Sequence, residues 1–105
     1  MGGRSALDKD DYGEPIQGAL TPQTAQKVSI SAITARNATA FSYRVIRVIS
    51  NANCYIKMGD STVEATTDDH FLPTGAIEYF ARKEHTHLAG LSTTGSGTIY
   101  ISEMG

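Results

Sequence analysis

FSYRVIRVISNANCYIKM, residues 41–58, is the most strongly β-forming stretch of the chain. It is rich in β-branched and aromatic residues and contains no acid, glycine or proline, and only the polar residues 50–53 (SNAN) interrupt it. This composition is typical of β-strands, and a short polar run between two apolar segments is typical of a tight turn. The pattern therefore predicts a pair of strands around a turn, on which the rest of the chain packs.

The first of these two strands has an interrupted alternation. Phe41, Tyr43 and Val45 share one face of an extended chain, whereas Ile46 and Val48 share the other. Either the strand is buried on both faces, or a β-bulge resets its phase. A central strand is the simpler interpretation, and we expect it.

Further strand patterns recur along the chain. In residues 76–83 (AIEYFARK), alternation places Ile77, Tyr79 and Ala81 on one face and Glu78, Phe80 and Arg82 on the other. Residues 98–104 place Ile99 and Ile101 inward. The other segments with this pattern are residues 27–33 (KVSISAI), 54–58 (CYIKM) and 85–92 (HTHLAGLS). About seven short strands without a convincing helix predict an all-β fold, a small antiparallel β-sandwich or jelly-roll-like barrel.

Residues 1–25 differ from the rest of the chain. They are polar, contain four glycines, two prolines and four acids, and show neither helical nor strand periodicity. This composition predicts an extended or flexible N-terminal arm ahead of a β-sandwich domain of residues 26–105. Ile16 and Leu20 give the arm an apolar handle, and both are candidate contacts with a partner.

The net charge, the length of the apolar runs and the cysteine count argue against several classes of protein. A formal net charge of −2 argues against binding to nucleic acid or to a membrane surface, since both require a basic excess. No apolar run approaches the roughly 18 residues of a membrane-spanning helix. Cys54 is the only cysteine, so no internal disulfide can form, and its place in a strand predicts a small core side chain.

Charge is divided unevenly along the chain. Residues 26–59 carry five basic residues and no acid, residues 60–105 carry seven acids against two basic residues, and the arm carries four acids against two. Either the basic and acidic strands are neighbours within one subunit, or one subunit presents its basic face to an acidic neighbour. The basic residues are Lys27, Arg36, Arg44, Arg47 and Lys57, and the last four are candidate partner contacts.

Two histidines could contribute to a metal site. His85 and His87 flank Thr86, and strand alternation puts both imidazoles on one face, where His70 or Glu84 could complete a ligand set. Spacing of this kind is weak on its own, and two exposed polar residues at a turn or strand edge are the preferred interpretation. The sequence therefore predicts no metal and no other cofactor.

Residues 61–70 (STVEATTDDH) form a predicted polar loop. Asp68 and Asp69 precede His70, but no nucleophile elbow or paired-carboxylate pattern accompanies them. We expect a protein without catalytic activity. Asp68 and Asp69 are instead candidate partner contacts on an exposed loop.

The second half of the chain resembles small structural proteins of tailed-bacteriophage virions. The resemblance extends over residues 43–104 and rests on an ordered series of short motifs: a strand ending in glycine, an Ala/Thr-rich loop, a Leu-Pro-x-Gly turn, a Glu-Tyr-Phe strand and a closing Gly-Thr-Ile strand. In this sequence the motifs are residues 54–59 (CYIKMG), 64–67 (EATT), 71–75 (FLPTG), 78–80 (EYF) and 97–104 (GTIYISEM).

The resemblance implies a non-enzymatic β-sandwich of the virion, assembled in the bacterial host cytoplasm. Its role would be that of a capsid decoration (cementing) protein that binds the major capsid protein through arm and sandwich, or of a head–tail or tail component. A homo-oligomer, with a trimer as the expected state, and neighbouring virion subunits would be its partners. A carbohydrate- or receptor-binding sandwich, with exposed tyrosines and the loop around residues 68–70 contacting sugar, is the alternative.

Overall fold

The computed structural model describes residues 20–105, and all regular structure in that part is β. The eight strands are β1 (Pro22–Ile30), β2 (Ala35–Arg36), β3 (Val45–Ser50), β4 (Cys54–Gly59), β5 (His70–Leu72), β6 (Glu78–Ala81), β7 (His87–Leu91) and β8 (Gly97–Met104). Residues 20–105 offer no helix that could cross a membrane. The two-residue strand β2 lies outside the segments in which the sequence pattern predicts strands.

The strands form two antiparallel sheets of four strands each. The first sheet has the order β1-β8-β3-β6 and the second the order β2-β7-β4-β5. Along the chain, every connection passes to the opposite sheet except the one between β4 and β5. The predicted all-β sandwich is thus confirmed as two packed antiparallel sheets.

The core lies between the two sheets, where alternate residues of each strand point inward. Because no Cβ separates them, Gly90 of β7 lets the sheets approach closely: a Cβ there would overlap Ile99 and lie 3.0 Å from Cγ2 of Ile30. The buried side chains are Val28, Ile30, Ile46, Val48, Ile99 and Ile101 from the first sheet and Cys54, Ile56, Leu72 and Leu88 from the second.

The two strands predicted in residues 41–58 do not pair with each other. β3 belongs to the first sheet and β4 to the second, so the turn between them crosses the core layer. Ser50 holds this corner, since its hydroxyl donates to the Ala52 carbonyl at 2.7 Å and accepts from the Ala52 amide at 3.1 Å. The predicted strands are present, and β3 lies centrally in its sheet, between β8 and β6. Their pairing around the turn was wrong, and β3 is fully buried on one face only.

Residues 41–44 are not part of β3, although the sequence pattern predicts a strand from residue 41. In the middle of this segment the amides of Ser42 and Tyr43 bond to a side chain, donating to Oε1 of Glu103 at 2.7 and 2.9 Å. Amides bound in this way are not available to a neighbouring strand. The phase slip between Val45 and Ile46 therefore marks the beginning of the strand, and neither a bulge nor burial on both faces is needed.

The strand predicted in residues 76–83 is shorter in the structure, and its face with Phe80 points to the core. Phe80 packs against the core, whereas Ile77 is 50% exposed. The cause is the pairing register: Phe80 lies opposite Ile46, which points inward, and directly paired residues share a face. Alternation alone did not determine which of the two faces points to the core.

The first strand begins earlier than the predicted domain boundary at residue 26. β1 starts at Pro22 and pairs with β8 along its length, with an irregularity between Pro22 and Ala25. Thr21 and Gly105 exchange two backbone hydrogen bonds of 2.7 and 2.9 Å, which extend this ladder. Residues 22–25 therefore belong to the sandwich, while Ile16 and the other residues of the predicted arm up to residue 19 lie outside the described residues.

Candidate functional site

The loop of residues 60–69 covers the outer face of the second sheet. Val63 and Ala65 of this loop form a small second apolar cluster with Ala89 of β7, and Leu91 packs against it. Ala89 lies between Arg36 and Lys57 on neighbouring strands, so the loop lies across the middle of the sheet. The loop thus covers the middle of the outer face of the second sheet, around Ala89.

Hydrogen bonds to specific side chains hold this loop in place. Nη1 of Arg36 donates to the Val63 carbonyl at 3.2 Å, and the amide of Ala65 donates to Oγ1 of Thr34 at 2.8 Å. Farther along, the amide of Thr66 donates to the Asp69 carboxylate at 2.7 Å and closes a turn. The loop is therefore a fixed layer of the structure.

The outer face of the first sheet presents large apolar side chains to solvent. Tyr100 is 40% and Ile77 is 50% exposed, and Val45 and Ile49 are half-buried. Pairing registers place these residues in rows across the sheet, such as Ile49 beside Tyr100, with Lys27 on the far side of Tyr100. We name this surface the β3 face; the pairing registers place on it Lys27, Val45, Arg47, Ile49, Tyr79, Tyr100 and Ser102. We include the exposed Ile77, which directly precedes β6 and lies two residues before Tyr79.

The β3 face carries two cations and no carboxylate. Nζ of Lys27 lies 5.9 Å from the centre of the Tyr100 ring, within the range of a cation–π contact. Arg47 stands between Tyr79 on β6 and Ser102 on β8. The surface is apolar with a positive charge, a combination that suits contact with an apolar and acidic partner.

A groove lies at one end of the first sheet, next to the β3 face. Its volume is about 700 Å³, and we name it the end groove. Apolar atoms dominate its lining, and Arg44 and Lys83 are its charged residues. The lining consists of Leu20, Ser42, Tyr43, Arg44, Val45, Ala81, Lys83, Met104 and Gly105.

Two charged side chains fix the wall of the end groove. Glu103 is only 3% exposed, and its carboxylate accepts the amides of Ser42 and Tyr43. From the other side, Nε of Arg82 donates to the Tyr43 carbonyl at 2.6 Å, and Nη2 donates to the Ser42 carbonyl at 3.4 Å. The peptide group between Ser42 and Tyr43 is thus bonded to the Glu103 anion through its N–H and to the Arg82 cation through its carbonyl, and the wall is preformed.

Lys83 at the rim of the groove has an unusual backbone conformation. Its φ of 54° is in the left-handed region, which costs a residue with a side chain about 1 kcal/mol. Arg82 offsets this cost, because its Nη1 donates to the carbonyls of both Lys83 and His85 at 3.2 Å. The amide of His85 also donates to the Arg82 carbonyl at 2.8 Å and closes the turn.

His70 and Glu78 close the sandwich where the edge strands β5 and β6 approach each other. Nε2 of His70 lies 2.8 Å from Oε1 of Glu78, and the His70 ring meets the Phe80 ring edge-on with centroids 5.8 Å apart. This contact links the first sheet to the second. It explains how Glu78 can occupy a half-buried position beside the core.

The candidate contact residues divide between the two sides of the sandwich. Leu20 and Arg44 line the end groove, and Arg47 lies on the adjoining β3 face. Arg36 and Lys57 lie on the outer side of the second sheet instead, and Arg36 is engaged in holding the loop of residues 60–69. The structure therefore brings three of the candidates together and separates the rest.

The two loop aspartates have different surroundings. Asp68 is exposed, and its amide donates to Oγ1 of Thr66 at 3.2 Å. The Asp69 carboxylate bonds to the amide and hydroxyl of Thr66, so it has a structural role within the turn. Of this pair, Asp68 is the side chain that a partner can reach.

The histidines of the hypothetical metal site are not both exposed. His87 is 8% exposed and its Nδ1 lies 2.8 Å from Oγ1 of Thr86, so the expectation of an exposed residue is wrong for His87. Within residues 20–105, no group of three His, Cys, Asp or Glu side chains is arranged to hold a metal ion. Cys54 lies in the core as predicted, and burial raises the pKa of its thiol.

The basic and acidic segments meet in the sheets without pairing their charges. β3, with Arg47, lies between β6 and β8 of the acidic segment, yet Arg47 faces neutral side chains. In the described part of the chain, the recorded ion pair is the one between His70 and Glu78. The cations of the β3 face and the end groove thus have no carboxylate partner among residues 20–105.

Sequence reasoning missed the two residues that build the groove. Glu103 carried a signal, because the alternation that places Ile99 and Ile101 inward also places an acid inward at position 103. A buried carboxylate requires donors, which the sequence could not identify. Arg82 carried no such signal, since its partners are backbone carbonyls of a loop about 40 residues away.

Comparison with models of protein families, with curated proteins and with solved structures finds no match.

Proposed function

We propose that this chain is a non-enzymatic structural subunit of a bacteriophage virion, a capsid decoration (cementing) protein that binds the major capsid shell and stabilises it. The observation that carries the proposal is the β3 face, on which exposed apolar side chains and two cations lie on a broad sheet surface. Exposed apolar surfaces of this kind mark protein contacts. The resemblance of residues 43–104 to virion proteins supports the same class.

The chemistry of the β3 face indicates its partner. Tyrosine and arginine are enriched in protein interfaces, and here Tyr79, Tyr100 and Arg47 share one surface. A second copy placed face to face would set Lys27 and Arg47 against the same cations, which costs free energy. The matching surface is therefore a different one, apolar and acidic, on the major capsid protein or on a neighbouring virion subunit.

The proposal includes a jelly-roll arrangement of the strands. The antiparallel pairs β1–β8, β2–β7, β3–β6 and β4–β5 are nested, as in one long two-stranded ribbon folded over on itself. Additional pairing of β3 with β8 and of β4 with β7 joins the folded ribbon into two sheets. This strand order supports the jelly roll, a fold that occurs in viral capsid proteins.

The expected oligomer and position follow from the resemblance. A homo-trimer on the outside of the shell, assembled in the host cytoplasm, is the proposed state, and an N-terminal arm is the proposed second contact with the shell. A head–tail or tail component of the same virion would use the same face against a different neighbour.

Binding to capsids tests the proposal. Ile77→Ser removes an exposed apolar side chain from the β3 face, and we expect it to weaken binding to shells of the phage's major capsid protein about tenfold, since burying such a side chain contributes about 1.5 kcal/mol. Phe71→Ser is the matched control, because Phe71 is 45% exposed on the outer side of the second sheet. Co-sedimentation with the shells measures both, and equal binding of the two variants would rule out the β3 face.

A pair of aromatic rings favours the carbohydrate-binding alternative. Tyr55 and Phe71 lie together on the outer side of the second sheet, with ring centroids 5.4 Å apart. Exposed aromatic faces can stack on sugar rings, and the exposed Asp68 precedes β5 in the chain. A glycan array checks this function: binding that Phe71→Ser abolishes would favour it over decoration, and an array without signal would exclude it.

A further inference from the structure

The end groove carries positive charge beside an apolar lining. Arg44 and Lys83 are its charged residues, no acid lines it, and neither cation pairs with a carboxylate among residues 20–105. Val45 and Met104 contribute apolar surface. The groove therefore favours an acidic segment that also brings an apolar group.

A tight turn in the loop over the second sheet has the opposite chemistry. The amide of Asp69 donates to the Thr66 carbonyl at 3.1 Å, so Thr67 and Asp68 are the two central residues of this turn. Both are exposed, and in the part of the chain that the structure describes the Asp68 carboxylate has no recorded partner. We name these four residues the loop tip; it presents a carboxylate next to a methyl group.

We propose that the loop tip of one subunit binds in the end groove of a second copy of this chain, with Asp68 facing Arg44 and Lys83 and the Thr67 methyl group against the apolar lining. Charge complementarity supports this occupant, because the charged residues of the groove are all basic and those of the loop of residues 60–69 are all acidic. Hydrogen bonds hold both the groove wall and the tip before they meet, so little ordering opposes binding.

The two surfaces lie on different sides of the sandwich. The groove is at the end of the first sheet where β3 begins and where β6 and β8 end, whereas the loop lies across the outer face of the second sheet. A contact between two different surfaces is heterologous, and it passes from each subunit to the next and forms a closed ring when the rotation fits. In a ring of three, every groove is occupied and every loop tip is bound.

This inference rests on the trimer of the proposed function and names the contact that forms it. The contact uses the end groove and not the exposed Ile77 of the β3 face. Formation of the trimer is measured without any shell, and binding to the shell is measured separately with Ile77→Ser.

Charge reversal and its rescue test the contact, with light scattering after size exclusion over a range of concentrations. The double variant Arg44→Glu/Lys83→Glu and the single variant Asp68→Lys should each raise the concentration of half-assembly at least about tenfold, because like charges then meet. All three side chains are exposed, so the fold should tolerate these changes. Lys57→Glu is the matched control, since it reverses an exposed cation outside the groove and should leave assembly unchanged.

The decisive sample combines the three substitutions in one chain, where an acidic groove meets a basic loop tip. We expect the trimer to return to within about threefold of its original half-assembly concentration. Lack of this rescue, or a double variant that assembles as well as the unchanged chain, would overturn the contact and leave the trimer standing. An unchanged chain that stays monomeric would overturn both the contact and the trimer, and co-sedimentation with shells would still decide the decoration role.

Discussion

Glu103 shows how one buried charge can determine the path of the chain. Its carboxylate accepts two backbone amides at 2.7 and 2.9 Å while lying almost completely buried. Burying a carboxylate is costly unless charge-assisted hydrogen bonds compensate for the lost hydration. Those bonds redirect residues 42 and 43 away from the sheet, and the end groove forms as a result.

Replacing this charge should therefore destabilise the domain. In Glu103→Gln, the amide oxygen can still accept a hydrogen bond but the charge is lost, and we expect the free energy of unfolding to fall by about 1–2 kcal/mol. Urea denaturation measures the change. The control is Glu64→Gln, an exposed acid, for which we expect a change within about 0.5 kcal/mol. Equal stability of the two variants would show that the carboxylate does not hold the loop.

At the scale of elements, the loop of residues 60–69 acts as a third layer over the second sheet. Its apolar contribution comes from Val63 and Ala65 above Ala89, and its polar attachment comes from Arg36 and Thr34. Gly59 permits this packing, because a Cβ there would lie 2.8 Å from the Val63 side chain. The apolar side chains of the loop and of β7 thus bury each other.

Shortening the buried side chain of this loop should loosen its attachment. We expect Val63→Ala to lower the free energy of unfolding by about 1–2 kcal/mol, since two buried methyl groups are lost. Hydrogen exchange of the Ala65 amide, which bonds to Thr34, should become faster. Ile33→Ala removes a larger but exposed side chain and serves as the control. Unchanged exchange at Ala65 would indicate that hydrogen bonds alone hold the loop.

For the whole molecule, the two sides of the sandwich differ in what covers them. One outer face carries its own loop, whereas the β3 face presents Tyr100 and Ile77 to solvent. The cations of that face and of the end groove are unpaired within residues 20–105. The two outer sides of the sandwich therefore present different surfaces, and the proposed attachment to a shell would use the β3 face.

The proposed trimer predicts a definite mass in solution. Light scattering after size exclusion should give three times the mass of one chain over a range of concentrations. If basic surfaces of one subunit meet acidic surfaces of the next, dissociation should increase with salt, because surface charges are then screened. A monomer at every concentration would contradict the trimer, and a trimer insensitive to salt would contradict charge-mediated contact.

Most strands could be predicted from the sequence, because the alternation of buried and exposed residues is a local property. The buried positions of Cys54, Ile56, Ile99 and Ile101 follow it directly. The pattern failed at residues 41–44, where Phe41 is buried without belonging to a strand. It also did not determine which face of β6 points inward, and the apolar Ile77 directly before β6 is 50% exposed. In both cases the partner that decides burial lies far away in sequence.

The candidate site could be predicted only in part. The sequence singled out Leu20 as an apolar residue of the arm, and Arg44 and Arg47 as members of a basic segment. The structure places Leu20 and Arg44 in the end groove and Arg47 on the adjoining β3 face. Arg36 belonged to the same segment but holds a loop on the opposite side. The positions of charged residues along a sequence do not determine which face of a sheet each side chain occupies, because that depends on the pairing register.

The sequence by itself determined an all-β chain of short strands, with a single buried cysteine and with a positive middle segment between negative flanks. These properties depend on residue type and on a period of two, which are local. Only the tertiary structure decided that β3 and β4 lie in different sheets, that the loop of residues 60–69 covers one face, and that Glu103 and Arg82 shape the end groove. Such features depend on contacts between residues that are far apart in sequence, and these contacts form only when the two sheets pack on each other.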